Sequence, residues 1–517
     1  MLEFIAFTLL APLGGQFPQS PPNAFTVARL VERLRSGLPL EIDLGLAGRV
    51  EAHCLGLDPT SAGGLHWSGS LVDAPGGSLR FILAEAPGGA LTIQGVLRRG
   101  EEVFLIQPGS PGQFRVREVD LPSLPSCGND ASHRIGDLPE TSSSPRGAGP
   151  TNAQGPAIPG FRPIVDLLVL YTPAARMGEG GVAAIEALIE LAAAETNAAN
   201  ASSGLEFRYR VVHTQETQYT ESGNHSLDLS RLQASFDGFL DEAQGLRTMF
   251  QADCVMLITD TLNTCGNGFI WNNFPNPAFN SFAYSVVARA CAVSNLSFAH
   301  ELGHNLGCDH EPGAGTGGAF SYARGHRTAS GQTRTIMALP PGTRVPFYSS
   351  PDLAEGGESL GVDIGLPGEA HNTQSLAITA PVVSGFRNAI PHTIGEGMTT
   401  STGQVFTLSY TGSNRVSLGN FTLVASGGPP GSAVIAFFGF EPGAEPLVGG
   451  LLYASAPYQR LPVQSLGLFG EASWPILPDL GFVSGQEIFF QVYNQDTNNP
   501  SGFGAALSNG LRVEFID

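Results

Sequence analysis

The sequence predicts an α/β domain set between two β-rich regions. Three observations lead there. Strand-like and helix-like runs alternate between about 164 and 388, the signature of an α/β domain. Residues 20–125 instead carry short runs of alternating apolar and polar residues separated by Gly-rich turns. After about 389 helical periodicity disappears again, and short strand-like runs between Gly and Pro turns predict a C-terminal β-sandwich.

Composition agrees. A chain of 517 residues is too long for one hydrophobic core. Only 14% of residues are charged, and 66 Gly and 38 Pro imply many turns. The formal net charge of -20 argues against a nucleic-acid partner, which would require a basic surface. No run of about 18 apolar residues occurs, so no membrane-spanning helix is expected.

The opening residues, MLEFIAFTLLAPLGGQFPQSPP, hold an apolar run from Phe4 to Leu13. Residues 1–19 suit the core of an export signal, although Glu3 stands where a basic residue is usual; the alternative is a first strand. Six cysteines are present, with no CxxC pair, so a zinc ribbon or thioredoxin-like motif is not expected. An even count in an exported chain permits disulfides.

Within 20–125, the runs LRFILAEA, ALTIQGVL, EVFLIQPG and QFRVREVD alternate as half-buried strands. Residues 126–163 are rich in Ser, Gly and Pro, lack periodicity, and read as an exposed linker open to proteolysis. From 164 to 388 the elements sharpen. IVDLLVLY is a buried strand, 181–200 a helix, LEFRYRVVH a half-buried strand, 227–250 a second helix and CVMLITD another buried strand. GFIW and FAYSVVARA are candidate strands, and EAHNTQSLAITAPVVSGFR a closing helix. The 389–517 region shows no catalytic cluster and could bind another protein or a surface.

Residues 297–313 read SFAHELGHNLGCDHEPG. On a helix His300 and His304 lie on one face, about 6 Å apart along the axis, and can share a metal ion. Glu301 can reach a water on that metal without being a ligand. Gly307 can take the left-handed conformation that ends a helix, letting His310 return as a third ligand. HExxH alone recurs by chance in unrelated proteins; here the whole HExxHxxGxxH pattern is present. Neutral imidazoles favour zinc, although other first-row metals fit chemically, and calcium is not indicated. GAGTGG at 313–318 lacks the Lys-Ser/Thr of a phosphate loop and reads as a turn.

HELGHNLGCDH resembles the motif of the metzincin metallopeptidases, and within them the reprolysin (adamalysin)-like proteases and related bacterial secreted enzymes. Met337 in TRTIMALPPG resembles their methionine turn, VPFYSSPD the segment lining their substrate pocket, and VDLLVLYTPAA their first strand. The resemblance covers about 161–388. It implies a mixed twisted sheet with the zinc helix below its edge strand, preceded here by a β-rich, propeptide-like region. It also implies one catalytic Zn2+ held by His300, His304 and His310, with Met337 shaping the floor. Glu301 then takes a proton from the attacking water and returns it to the leaving amine. Peptide or protein substrates are expected to add along the edge near Gly268–Trp271. Two residues after the methionine some relatives carry a tyrosine ligand; here Leu339 stands there. Tyr322 and Tyr348 are spare oxyanion candidates or packing residues, and His326 and His371 read as ordinary surface or packing histidines.

The resemblance also implies a Cys265–Cys291 disulfide. Cys308 is either paired with Cys254 or a buried thiol. PSCGND around Cys127 resembles the Cys-Gly segment of propeptides whose thiol blocks the zinc, with Ser126 where a basic residue is usual; the alternative is a Cys54–Cys127 disulfide. The expectation is thus a secreted zinc endopeptidase made as a latent precursor. The alternatives are a zinc-containing extracellular adhesion protein, for which Glu301 would have no use, and a hydrolase of another amide.

Overall fold

The structure, a computed structural model, describes residues 39–60, 64–85, 91–109, 113–128, 163–315, 317–387, 391–411, 414, 421–476 and 486–515. The expected export signal and nearly all of the expected linker lie outside these residues. The chain divides into two compact units: 1–141 with 165–383, and 142–164 with 384–517.

The first unit begins with a seven-stranded meander: β1 (Leu40–Asp43), β2 (Arg49–Pro59), β3 (Leu65–Leu71), β4 (Ser78–Glu85), β5 (Leu91–Arg99), β6 (Glu102–Pro108) and β7 (Phe114–Glu118). Each strand runs antiparallel to the next. Period-two alternation sends Trp67, Phe81, Ile93, Leu97, Phe104 and Ile106 into one core. The opposite face of β4 and β5 is covered as well. Gln94 and Arg98, whose polarity suggests solvent, are buried there.

What covers them belongs to the α/β part, where β8 (Ile164–Tyr171), β9 (Arg208–Glu216), β10 (Cys254–Thr259), β11 (Gly266–Gly268) and β12 (Tyr284–Ala288) form one sheet in the order β11-β12-β10-β8-β9. β8 and β12 run parallel to β10, whereas the edge strand β11 runs antiparallel to β12. The helices are α1 (Pro173–Glu179), α2 (Val182–Ser202), α3 (His225–Gln233), α4 (Glu242–Met249), α5 (Arg289–Ala292), α6 (Ser297–Asn305) and α7 (Asn372–Val383). α2 packs against β4 and β5, and its Glu195 meets Arg80 at 2.8 Å and Arg98 at 3.0 Å. Gln94 donates to Glu179 of α1 at 2.7 Å.

The single helix expected over 227–250 is two. α3 starts at the Asn224 cap, whose side chain accepts from Ser226 and Leu227. It stops before Phe236 and Leu240, both at positive φ. Asp241 accepts from the Asp237 and Gly238 amides and so satisfies the broken turn locally.

In the second unit, strands Ala433–Gly439, Gln486–Gln495 and Gly510–Phe515 build one antiparallel sheet; Thr407–Thr411, Thr422–Ser426 and Ala472–Pro475 build another. Leu408, Leu423 and Trp474 of the smaller sheet share a core with Val434, Phe438, Phe490 and Val513 of the larger, which is sandwich packing.

Candidate metal centre

α6 packs against β11 and β12, and all nine of its residues are buried. Its length is set by Gly307, which stands at φ +83°. The Cys308 amide donates to the Gly303 carbonyl at 2.8 Å and the Gly307 amide to His304 at 3.0 Å, closing the helix in a Schellman turn. The chain then doubles back, and the Asp309 carboxylate steadies the return by accepting from the His310 amide at 2.7 Å and the Gly317 amide at 2.8 Å.

The turn brings three imidazoles together. His300 Nε2 lies 3.2 Å from His304 Nε2 and 3.3 Å from His310 Nε2. Nitrogens bound tetrahedrally to one ion at about 2.0–2.1 Å would be about 3.3–3.4 Å apart, so the spacing fits. The rear nitrogens of two rings are committed: His300 Nδ1 donates to the Ile336 carbonyl at 2.7 Å and His304 Nδ1 to the Cys308 carbonyl at 2.8 Å. That fixes the tautomer and turns each Nε2 lone pair inward. Burial, followed by the nearby Arg344 charge, holds His300 well below the usual histidine range, so it is a neutral donor.

Glu301 lies beside this cluster and is fully buried. Burial raises its carboxyl to about 8, while the Cys127 thiol and Arg344 pull the other way. Room for it comes from the edge strand: a Cβ on Gly266 would stand 2.7 Å from Glu301 Oε1. Beneath the helix, Met337 is so close that a Cβ on Gly303 would meet its Sδ at 2.4 Å. Glu311 holds the methionine segment by accepting from the Leu339 amide at 2.9 Å and pairing with Arg327 at 2.6 Å.

A fourth donor reaches the cluster from the N-terminal side. Cys127 Sγ lies 3.8 Å from His304 Nε2, and the ligand atoms of Cys127, His300, His304 and His310 all fall within 4.8 Å of one another. The segment carrying Cys127 lies along the sheet edge. Cys265 N donates to Ser126 O at 3.1 Å, and Gly128 N to Gly266 O at 3.0 Å. A Cβ on Gly128 would stand 2.2 Å from Asn267 Oδ1, so any larger residue would have to displace that side chain.

Residues 162–345 match the Reprolysin_5 family, described as Metallo-peptidase family M12. This segment is a metzincin-like metallopeptidase of family M12. A Stenotrophomonas maltophilia (strain R551-3) protein named Peptidyl-Asp metalloendopeptidase is 27% identical over 398 residues, covering 73% of this chain and 90% of the relative. A Xanthomonas campestris pv. campestris protein of the same name is 28% identical over 300 residues, 57% of this chain and 68% of the relative. One from Pseudomonas aeruginosa is 29% identical over 265 residues, 45% of this chain and 42% of the relative. A solved chaperone–substrate complex covers 59% of this chain and 45% of its own at 17% identity, with a TM-score of 0.34.

The remaining residues singled out in the peptidase sequence fall as follows. Cys265 and Cys291 form a disulfide with Cα atoms 5.4 Å apart, tying the edge strand to the segment before α6. Cys54, Cys127, Cys254 and Cys308 carry thiols, so neither Cys54–Cys127 nor Cys254–Cys308 is a disulfide. Tyr348 is committed to packing: its hydroxyl donates to the Ala299 carbonyl at 2.8 Å. Tyr322 stacks on Phe320. His326 and His371 do not join the metal cluster. Sequence reasoning missed Glu311, Arg344 and the pairing of Ser126–Gly128 with the edge. Only the Cys-Gly pair hinted at the last.

Proposed function

We propose that the chain is a secreted zinc endopeptidase made as a latent precursor. The observation that carries this reading is the convergence of three imidazoles, two of them with rear nitrogens anchored on carbonyls, beside a fully buried glutamate. An adhesion protein has no use for Glu301, and burying a carboxylate is costly. Family M12 peptidases use zinc, and His300, His304 and His310 would hold it here. Zinc so held supplies a Lewis acid and acidifies water.

The rest of the chemistry belongs to side chains of this chain. Glu301 takes a proton from the water attacking the peptide carbonyl and delivers it to the amine nitrogen as the C–N bond breaks. β11 offers its edge to the substrate backbone, the position that Ser126–Gly128 now takes. Met337 and Gly303 fix the floor.

Cys127 is the proposed latch. A thiolate is a strong zinc ligand, and its sulfur stands where it would complete the coordination sphere. Latency would end once the linker is cut and the N-terminal strands leave. The relatives are named for peptidyl-Asp, and the same preference is proposed here. Export is supported by the Cys265–Cys291 disulfide, a bond typical of oxidising compartments. Among the described residues no helix is long and apolar enough to cross a membrane. The deciding experiment is digestion of a peptide library with and without a zinc chelator, alongside the Glu301→Gln variant. Cleavage that survives both would overturn the reading.

A further inference from the structure

Arg344 is 7% exposed and sits behind His300, between the residue stretch that opens α6 and the methionine segment. Its Nη1 donates to the Asn295 carbonyl at 2.8 Å and its Nη2 to the Ala338 carbonyl at 3.3 Å. Nη2 also lies 3.3 Å from His300 Nδ1. That nitrogen already carries the proton given to Ile336, so the two face each other as donors and no bond forms. Nε is buried without any partner.

No carboxylate pairs with this guanidinium among the described residues. The contrast with its neighbours is sharp. Arg98 is paired with Glu195 and Arg210 with Asp166. Arg334, ten residues earlier, donates from Nε to Gly342, from Nη1 to Ala338 and from Nη2 to Asn295 Oδ1. Arg176 and Arg327 also leave Nε without a hydrogen bond, but each forms an ion pair with a glutamate. A buried cation with no carboxylate in ion-pair contact and an idle donor is expensive unless an anion arrives to complete it. The groups that share its electrostatic surroundings are Cys127 and Glu301, those nearest the reacting bond, and then Glu311 and Tyr348.

Resting on the peptidase reading, we propose that Arg344 is the specificity-determining residue for this site: it receives the carboxylate of an aspartate side chain adjoining the scissile bond. The guanidinium keeps two donors on the Asn295 and Ala338 carbonyls, which hold it in place, and offers Nε to the substrate. A planar fork suits a carboxylate better than a point charge does. Neutral side chains in the same place would leave the guanidinium uncompensated, so rejection of them is built in.

The test uses the zinc-loaded full chain carrying Cys127→Ser and two peptides that differ only by Asp or Asn at one position. The readout is the ratio of kcat/KM for the two, measured within one preparation so that any inactive fraction cancels. The expected ratio is roughly 100 or more, falling below about 5 in Arg344→Gln, with Arg344→Lys between them. Mass spectrometry of the products should locate the cut bond next to the Asp. A second measurement needs no turnover. Fluorescence anisotropy on the Glu301→Gln, Cys127→Ser chain should show tighter binding of the Asp peptide, and Arg344→Gln should erase the difference. A ratio near one in the parent chain, or one unchanged by Arg344→Gln, would overturn the assignment while leaving the peptidase reading intact. Failure to cut either peptide, with the binding preference present, would sink the peptidase reading and leave Arg344 as an acidic-side-chain receptor.

Discussion

Glu301 holds its carboxylate in a space that the glycines of β11 leave open. Glu301→Gln preserves the volume and leaves the three imidazoles untouched. Zinc content by mass spectrometry should therefore stay near one ion per chain, while kcat/KM falls by about 10²- to 10⁴-fold, the usual worth of a general base. Near-parental turnover at full zinc occupancy would remove Glu301 from its assigned role. Cys127 makes the complementary prediction. The uncut Cys127→Ser chain should cleave peptides that the uncut parent does not, because a neutral hydroxyl is a far weaker zinc ligand than a thiolate. Equal activity in the two uncut chains would show that no latch exists. Glu301 and the histidines were legible in the sequence because their spacing is fixed along one short segment, and Met337 because its segment resembles a methionine turn. Arg344 was not, since a buried unpaired arginine and a solvated one look identical in a string of letters.

Among the elements, α6 depends on how it ends. Gly307 stands at φ +83°, and a Cβ there would also meet Ala319 Cβ at 2.6 Å. Gly307→Val should cost about 1–3 kcal/mol through strain alone and move His310 away from its partners. Competition with a chelator should reveal weaker zinc binding, and an unchanged affinity would mean that His310 is not held by this turn. The contact of β4 and β5 with α2 gives an acid-dependent prediction. Burial by itself would raise the Glu195 carboxyl, but Arg80 and Arg98 outweigh it and hold the group below its ordinary 4.5. A carboxyl depressed in the folded state contributes its stability fully above the unfolded pKa and loses it as pH falls through the folded one. Thermal unfolding followed from pH 7 downward should therefore show a stability loss setting in below about 4.5 that flattens in Glu195→Gln. Arg98→Ala, which strands that carboxylate, should cost about 3–5 kcal/mol at neutral pH. The strand pattern of 91–99 was readable, but its polar face predicted solvent. It meets a charged helix face instead, and alternation alone cannot distinguish water from a partner that supplies matching charges.

For the molecule as a whole, a metal held by this cluster would tie distant parts of the first unit together. The donors would come from α6, from the loop beyond Gly307 and from the stretch after β7, so binding would favour the folded state. Free zinc at 1,000 times its Kd should add about 4 kcal/mol to that unit. Calorimetry should show one transition shifting upward with zinc and downward with chelator; a thermogram indifferent to both would argue against a structural contribution from the ion. The C-terminal sheets, with no residue in the metal cluster, should melt independently of zinc.

By itself the sequence determined which residue types line the site, that the middle of the chain is α/β and that both ends are β-rich. It could do so because spacing along a helix and alternation along a strand are local properties. The tertiary structure alone decided the rest: that Cys127 reaches the histidines, that Gln94 and Arg98 face helices and not water, and that Arg344 lies buried with no carboxylate in ion-pair contact. Each depends on segments tens or hundreds of residues apart coming within a few ångströms, where burial and charge pairing act and where no local pattern records the neighbour.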